Sequence, residues 1–587
     1  MRLCTVLSGL AAVCAAQQLM FWPVRGTREM VAAANNYEVE AGFRMLWQGG
    51  NAIDAGVAAT LAGAVTEQAR FGLGGEMPLI IKMNGKDPVV VSGVGVAPAK
   101  ATVDFYSRRA PDPWEDPQRM PPIPPLGILS AITPGVFDAL MLALQEHGTM
   151  SFEKVVTPAI ECAEGGFPLM EEFVSFIRAN QRVLELWPAS KAFFLPGGRA
   201  PGRGDLFRAA PLANTLKELV RAERKARGNR ARKIQAVRDY FYRGPVAERV
   251  ARFSQANGGL LTLDDLKKYH AEFDQPKTGA YRGYTIVKPG FWTQGPVMIE
   301  ALNMLEGYDL KAMGHNSPQY LHTLVEVVKL AFADRDRYYG DPKFSKIPEQ
   351  ILLSKDYAVE RRKLIDPKRA SMESRPGNLG PSVVMPTGVG SSTGIHDTTC
   401  VNVVDRQGNV FNATPSGAWL PSVIAGDTGI PLSSRLTSFV VTAGHPNMIE
   451  PGKRPRVTLS PTLVLKDGKP FLAMSTPGGD NQDQAMLQVL INIIDFGMIP
   501  QEAVEAPRFQ SEHFYVSFAF HEFTPGRVAI ERRMPNSTAE ALRALGHIVD
   551  VRGEWSNSSA PTAILLRGDG VLDGGADPRR GRFIFGR

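Results

Sequence analysis

The chain has 587 residues, of which 44% are hydrophobic and 21% charged, a composition typical of a globular protein with a large core. Its formal net charge of +7 is small for this length and is concentrated in residues 221–239, where eight Lys and Arg residues accompany only Glu223 and Asp239. This stretch lacks aromatic interleaving and any nucleic-acid-binding motif, so it predicts a solvated helical insertion. We expect no nucleic-acid partner.

The N-terminal sequence MRLCTVLSGLAAVCAA has one arginine followed by mainly apolar residues that end in small ones. That order predicts a secretory signal of residues 1–16, too short to span a bilayer. We therefore expect a periplasmic or secreted protein without stable membrane insertion. The alternative is a cytoplasmic protein whose translation starts at Met20.

Four cysteines are too few for a disulfide framework in a chain of this length, and Cys4 and Cys14 lie in the predicted signal. The sequence contains no Cys-x-x-Cys or His-Glu-x-x-His motif, and its nine histidines are scattered. These observations predict neither a metal ion nor an organic cofactor.

The first predicted helix covers residues 37–48, where apolar side chains recur at helical spacing up to a Gly-Gly pair. Asn51 or Asp54 then caps a second, alanine-rich helix that runs towards Glu67. Later helical patterns cover residues 136–148, 299–307 and 318–340. Strand-like alternation lies between them, and Asn84-Gly85 marks a hairpin turn. The order of elements predicts a mixed α and β domain without internal repeats.

Residues 366–394 are rich in Pro, Gly and Ser and predict a long mobile loop. Directly after it, residues 398–414 predict two strands, and alternation in the first places Thr398, Cys400 and Asn402 on one face. A connector that can tolerate a chain break therefore ends at Thr398.

A threonine hydroxyl is a poor nucleophile, but the α-amino group of an N-terminal threonine, with a pKa near 7.7–8.0, can remove its proton. Thr398 would gain such an amine if the Asp397–Thr398 bond were broken by the same hydroxyl. The alternative is structural, because β-branched residues suit strands. Cys400 on the same face is interpreted as a small apolar filler, the usual role of a buried free cysteine.

Two glycine-rich stretches bear on this hypothesis. Gly478 and Gly479 lie between an apolar strand pattern and a helical one, so their N–H groups could form an oxyanion hole or simply a turn. The sequence FGLGGE (71–76) predicts a tight turn beside the site. The motif GSSTG around Ser392 matches a nucleophile elbow but lacks the preceding strand and following helix.

Several segments resemble gamma-glutamyltransferases (glutathione hydrolases), among them EAGFRMLWQGGNAIDAGVAATLAGAVTEQARFGLGGE, GVAPAKAT, TTCVNVVDRQGNV, SPTLVLKDGKP and TPGGD. The resemblance runs from about residue 28 to the end. It implies an α+β fold, the four-layer αββα sandwich of N-terminal nucleophile hydrolases. It also implies a precursor that cuts itself between Asp397 and Thr398 into a large subunit, 17–397, and a small catalytic subunit, 398–587.

Site residues follow from the resemblance position by position. Thr398 matches the nucleophile, Ser416 matches a hydroxyl residue that helps to orient the new amine, and Gly478 and Gly479 match the oxyanion donors. The implied assembly is a heterodimer of the two subunits, or a dimer of such heterodimers.

The departures from the family concern substrate binding. Val94 stands where the family has an arginine for the substrate carboxylate, and Ser438 where it has an acid for the substrate amine. Val457 and Thr458 replace paired serines, and Ala418 replaces an asparagine. Because each lost charged hydrogen bond typically costs about 1.5–3 kcal/mol, glutathione is a doubtful substrate.

The stretch PGGDNQDQ, with Asp480 after the glycines, is similar to the branch of oxamate amidohydrolase and cephalosporin-acylase-like enzymes. Arg435 could supply a relocated carboxylate contact beside Ser438, Thr458 and Asp480. The sequence thus predicts a self-processing hydrolase of a small carboxylate-bearing or acyl amide. The alternatives are a true gamma-glutamyltransferase and an unprocessed, non-catalytic binding protein.

Overall fold

The computed structural model describes residues 19–380, 383–386 and 397–587. The predicted signal (1–16) and Ser392 lie outside these residues. Over the described ranges the α-helices, numbered α1 to α20, are Asn36–Trp47, Ala52–Thr66, Val103–Arg108, Val136–His147, Phe152–Gly165, Glu171–Ala179, Gln181–Leu184, Pro188–Phe194, Ala210–Lys225, Arg230–Tyr242, Pro245–Ala256, Leu263–Lys268, Pro296–Leu305, Leu310–Met313, Pro318–Tyr338, Glu349–Leu352, Lys355–Arg362, Gln482–Ile494, Pro500–Glu505 and Asn536–Ala544. Across the same ranges, none of these helices has the length and apolar character to cross a lipid bilayer.

The strands of the described residues, numbered β1 to β19, are Val24–Gly26, Met30–Ala33, Met77–Lys82, Val89–Gly93, Phe167–Pro168, Leu206–Phe207, Glu272–Asp274, Lys277–Tyr281, Tyr284–Lys288, Val401–Val404, Val410–Ala413, Thr462–Lys466, Lys469–Ser475, Phe509–Ser511, Arg527–Glu531, Ile548–Arg552, Thr562–Leu566, Leu572–Ala576 and Phe583–Gly586. Two antiparallel sheets of seven strands dominate, with orders β19-β2-β10-β11-β3-β4-β7 and β1-β18-β17-β13-β12-β9-β8. Each sheet contains strands from both sides of residue 397, so both parts of the chain are needed to complete either sheet.

Three apolar cores separate four layers. One core lies between the first sheet and helices that include α1, α2, α4 and α5, and a second lies between the other sheet and helices that include α13, α15 and α18. The third lies between the sheets, where Ile80 and Val410 of the first face Leu463 and Ile564 of the second. Because side chains alternate along a strand, each strand supplies both an inner and an outer core. The predicted αββα sandwich is confirmed.

Local sequence signals place the helices and turns as predicted. Asn51 and Asp54 form a reciprocal capping box at the start of α2. All residues of α2 are buried, and a Cβ at Gly56 would lie 2.2 Å from the Phe411 ring, so this glycine allows the helix to approach the first sheet closely. Gly85 has a φ of +73° in the turn between β3 and β4, as the hairpin prediction requires.

The connector before the predicted cleavage point has neither helix nor strand among its described residues. Its first half is nevertheless fastened to α15: the Gly377 N–H donates to Asp334 at 2.6 Å, and Arg375 donates to Glu326 at 2.8 Å. The Ala370 N–H also donates to the Leu545 carbonyl at 2.7 Å. A break after residue 397 would therefore leave this half of the connector bound to the rest of the protein.

Candidate active site

Thr398 lies where strands of the first sheet end side by side. It forms an antiparallel bridge with Ser416, which in turn bridges to Glu76, so residues at the ends of three adjacent strands meet here. Thr398, Ser416 and Glu76 are all buried. Its strand continues as β10, and Asn402 and Cys400 contact Thr562 of the second sheet, as the predicted face requires. The hydroxyl of Thr398 thus lies between the two sheets.

The Thr398 hydroxyl has two hydrogen-bonding neighbours among the described residues. Its Oγ1 is 3.1 Å from Ser416 Oγ and 3.5 Å from Gln482 Nε2, the second distance being long for a hydrogen bond. Ser416 Oγ also donates to the carbonyl oxygen of Asp397 at 2.8 Å. Nucleophile, hydroxyl neighbour and the carbonyl of the preceding residue therefore form one connected group.

Asp397 is held on its other side by two arginines. Its Oδ2 accepts from Arg70 Nε at 2.9 Å and from Arg580 Nη1, and its Oδ1 accepts from the Thr398 N–H at 2.8 Å. Burial alone would raise the pKa of the Asp397 carboxyl, but Arg580 and Arg70 outweigh burial and lower it. The carboxylate is therefore ionised and fully hydrogen-bonded.

The Gly478-Gly479 turn precedes α18, whose Gln482 reaches Thr398. Both glycines have positive φ, +123° and +55°, and a Cβ at Gly478 would lie 2.2 Å from Ser559 Oγ. Only glycine fits the first position without strain. Gln482, at the start of the helix that follows this turn, is the residue through which the turn and Thr398 are connected.

Arg435 lies on the far side of Ser416 and is buried. Its Nε donates to Glu76 Oε1 and its Nη2 donates to Ser416 Oγ at 3.0 Å. Its guanidinium carbon is 4.6 Å from the ring centroid of Trp419 and 5.4 Å from that of Phe518. Within the described part of the chain its Nη1 has no hydrogen-bond partner. Arg435 thus donates to Ser416 through Nη2, and the N–H groups of its Nη1 make no hydrogen bond with the described residues.

The other predicted substrate-binding residues differ in their surroundings. The hydroxyls of Ser438 and Thr458 are buried and have no partner in the described ranges. Asp480, in contrast, pairs with Arg335 and accepts from the Ser517 N–H at 3.0 Å. Its carboxylate is already used within the protein, whereas the two hydroxyls make no hydrogen bond with the described residues.

The sequence patterns missed several residues of this site. Glu76 belongs to the FGLGGE turn that was placed beside the site, and Gln482 follows the two glycines, but neither position alone indicated a contact with Thr398 or Arg435. Trp419 carried no signal at all. A Cβ at Gly479 would lie 3.5 Å from the Phe518 ring, and the same ring lies against the Arg435 guanidinium. Phe518 therefore contacts both the turn and Arg435.

Comparison with known proteins agrees with this geometry. The family model described as gamma-glutamyltranspeptidase matches residues 39–586. The glutathione hydrolase proenzyme of Escherichia coli (strain K12) is 33% identical over 576 residues, with 95% of this chain and 92% of that protein covered. The chain belongs to the gamma-glutamyltranspeptidase family. It is accordingly a hydrolase or transpeptidase that acts on amides.

Relatives of this gamma-glutamyltranspeptidase-family chain also include acylases. The acylase ACY 1 proenzyme of Pseudomonas sp. (strain V22) is 34% identical over 558 residues, with 94% of this chain and 92% of that protein covered. The crystal structure of cephalosporin acylase from Bacillus halodurans superimposes with a TM-score of 0.83 at 27% identity and covers 99% of both chains. The predicted N-terminal nucleophile hydrolase fold is confirmed, and the proenzyme names fit a precursor that is processed into two subunits.

The fold also brings together three ionisable residues that the scattered histidines did not indicate. One ligand atom from each of His322, Glu326 and His547 lies within 4.8 Å of the others. However, Glu326 pairs with Lys329 at 2.7 Å and with Arg375 at 2.8 Å, and His322 Nδ1 is 2.8 Å from His547 Nε2. Two neighbouring cations and a direct His–His hydrogen bond oppose a metal ion, so we interpret the cluster as part of a buried ion-pair network.

His547 makes the stability of the fold depend on pH. Burial, Lys329 and His322 lower the pKa of His547 to about 3, below the ordinary value of 6.5. The unfolded chain therefore binds a proton that the folded chain does not, and stability falls as the pH falls below about 6.5, by about 1.4 kcal/mol per pH unit for this group. We expect His547→Gln to lose less stability than the wild type between pH 7 and pH 5, measured by chemical denaturation. An equal loss would contradict this.

Proposed function

We propose that the chain cuts itself between Asp397 and Thr398 and then hydrolyses amides with Thr398 as an N-terminal nucleophile. The products of the cut are a large subunit ending at residue 397 and a small subunit, 398–587. One observation carries the proposal: a buried threonine hydroxyl is 3.1 Å from a serine hydroxyl that itself donates to the preceding carbonyl. Because Arg70 and Arg580 hold the Asp397 side chain, the bond to be cut is presented in a fixed geometry.

Once freed, the Thr398 amine removes the proton of its own hydroxyl, since its pKa of about 7.7–8.0 suits a base at neutral pH. The hydroxyl attacks the substrate carbonyl, and the N–H groups of Gly478 and Gly479 stabilise the oxyanion. The amine returns its proton to the leaving group, and water releases the acyl group from Thr398. Ser416 orients the new amine. The sequence of steps calls for no metal or organic cofactor.

The proposed substrate is an amide whose acyl group carries a carboxylate. Arg435 offers an unpartnered Nη1 on a buried guanidinium close to Ser416, and an unpaired buried donor is costly unless a ligand accepts from it. The unpartnered hydroxyls of Ser438 and Thr458 add two further donors. A planar, charged donor matches a carboxylate. The Phe518 ring, beside Gly479, provides an apolar wall for the rest of the acyl group.

Glutaryl-p-nitroanilide and γ-glutamyl-p-nitroanilide test this preference, because they differ only in the ammonium group of the second. The chain has Ser438 in place of an acid for that ammonium, and the Arg435 cation repels it. We expect kcat/KM to be about 10- to 150-fold higher for the glutaryl compound, the equivalent of one charged hydrogen bond of about 1.5–3 kcal/mol. Release of p-nitroaniline gives the rates. Equal or faster turnover of the γ-glutamyl compound would contradict the preference and favour a true gamma-glutamyltransferase.

The remaining proposals concern assembly and location. The two subunits are proposed to stay together as a heterodimer, because each sheet contains hydrogen-bonded strands from both sides of the cut. Dimers of this heterodimer and export through residues 1–16 stay predictions. The alternative of an unprocessed binding protein is distinguished by a denaturing gel, where it would run as one uncut band.

A further inference from the structure

Gln482 is the first residue of α18, and its side chain lies against the nucleophile. The residue is fully buried, and its Nε2 is 3.5 Å from Thr398 Oγ1. The oxygen of the same amide, Oε1, is also buried and accepts no hydrogen bond within the described parts of the chain. A buried acceptor without a donor costs free energy until a ligand supplies one. Gln482 thus brings an unused acceptor to the side of Thr398.

The hydrogen bonds of Ser416 determine which end of this amide faces Thr398. Ser416 Oγ donates its single proton to the Asp397 carbonyl oxygen and accepts from Arg435 Nη2. The Thr398 hydroxyl, 3.1 Å away, therefore donates to the remaining lone pair of Ser416. This leaves the Thr398 oxygen as an acceptor. The NH2 group of Gln482 accordingly faces that oxygen, and the carbonyl oxygen Oε1 is the end without a partner.

The residues on either side of Gln482 are held by other parts of the protein. Before it, the buried carboxylate of Asp480 pairs with Arg335. After it, Gln484 uses both ends of its own amide: it donates to the Ser511 carbonyl oxygen at 3.1 Å and accepts from the Ser511 N–H at 2.8 Å. The start of α18 is therefore fixed on both sides of Gln482, which holds Oε1 in place next to the nucleophile.

An amide substrate that reaches Thr398 brings an N–H group that needs an acceptor. The amine of N-terminal Thr398 gives a proton to the lone pair of the leaving nitrogen, so it does not accept from the N–H already on that nitrogen. An N–H buried without an acceptor would cost free energy. An ester has an oxygen atom at this position and no such proton. An acceptor beside Thr398 can therefore distinguish an amide from an ester.

We propose that Gln482 selects amides over esters by accepting, through Oε1, a hydrogen bond from the N–H of the scissile bond. This inference rests on the proposed function and deepens it, because it names the bond that is cut as well as the acyl group. As the C–N bond breaks, its electron pair stays on the nitrogen, which takes a proton from the Thr398 amine. The nitrogen becomes more positive in this step, and a charged donor makes a stronger hydrogen bond. The contact therefore stabilises the transition state more than the bound substrate.

N-Methylglutaramic acid and monomethyl glutarate test this inference, because they differ only in NH or O at the scissile bond. The readout is the ratio of kcat/KM for the amide to kcat/KM for the ester, with the released glutarate measured by chromatography. Both rates are proportional to the amount of cleaved, folded enzyme, so their ratio is independent of that amount. Gln482→Met removes the amide at similar volume and is expected to lower the ratio at least about tenfold, the effect of one hydrogen bond.

Two further variants serve as controls. Gln482→Glu keeps an oxygen acceptor, so the ratio is expected to stay within about threefold of the wild-type ratio even if both rates fall. Gln484→Met is the matched control, because it removes a buried amide two positions along the same helix whose partner is the backbone of Ser511. It is expected to lower stability and leave the ratio unchanged. If Gln482→Met does not fold, Gln482→Ala replaces it with the same expected fall, because a shorter side chain needs no new space.

The outcomes separate this inference from the proposed function. Equal losses on the amide and the ester in Gln482→Met would mean that Gln482 acts only on the nucleophile, which would overturn the inference and leave the function intact. An equal fall of the ratio in Gln484→Met would overturn it too, because the change would then come from packing of the helix. Wild-type protein that hydrolyses neither compound would contradict the proposed function and, with it, this inference. A loss confined to the amide, and absent in Gln482→Glu, is the expected result.

Discussion

Thr398→Ala is expected to yield a single uncut chain without amidase activity. The substitution removes the hydroxyl that we propose attacks both the Asp397 carbonyl and the substrate, and loss of a nucleophile typically lowers kcat by about 10⁴- to 10⁶-fold. The fold should persist, because Thr398 contributes one hydroxyl contact to Ser416 and its strand pairing uses the backbone. A denaturing gel and release of p-nitroaniline from the glutaryl anilide measure the two effects.

Cys400→Ala is the matched control for this experiment. Cys400 shares the strand and the face of Thr398, but it is fully buried, and burial raises the pKa of its thiol. Its Sγ contacts Thr562 Oγ1 at 3.5 Å and none of the groups around the Asp397 carbonyl. We expect cleavage and activity to survive in this variant. Cleavage in Thr398→Ala, or its loss in Cys400→Ala, would contradict the assignment of the nucleophile.

The second large effect is expected at Gly478. A Cβ there would lie 2.2 Å from Ser559 Oγ and 3.1 Å from Ser559 Cα, at a φ of +123° that L side chains rarely adopt. Gly478→Ala must therefore shift the turn, and loss of one oxyanion donor typically costs about 10²- to 10³-fold in kcat. Self-cleavage should continue, because the Asp397 carbonyl is contacted by Ser416 and not by this turn. Steady-state kinetics on the cleaved enzyme measure the effect.

Gly479→Ala is the matched control for the turn. Its Cβ would find Phe518 at 3.5 Å, an ordinary contact, and its φ of +55° is the left-handed conformation that costs an alanine about 1–2 kcal/mol. We expect a loss of about tenfold or less in kcat. Wild-type activity in Gly478→Ala would contradict the oxyanion role of the turn, as would equal losses in the two variants.

Local sequence signals were sufficient for the elements around the site. Asn51 and Asp54 predicted the cap of α2 because a capping box needs only residues three apart. Asn84-Gly85 predicted its hairpin because the turn demands a positive φ. The alternation after Thr398 predicted the shared face of Thr398, Cys400 and Asn402. Each of these features is determined within a few residues.

The polar contacts of the site could not be predicted in the same way. Glu76 and Arg435 are 359 residues apart, and Arg335 and Asp480 are 145 apart, so their pairing depends on the complete sandwich. The sequence predicted only a substrate contact for Arg435. In the fold, two of its three side-chain nitrogens donate to Glu76 and Ser416. Buried ion pairs are set by tertiary packing, and hydrophobic periodicity carries no information about them.

Intact-mass spectrometry of purified protein that is turning over an amide tests the central claim most directly. The account predicts two polypeptides, the smaller beginning at Thr398 with a free amine. Active protein in which residues 397 and 398 are still joined would contradict it, because an acylated nitrogen cannot serve as the base for the threonine hydroxyl.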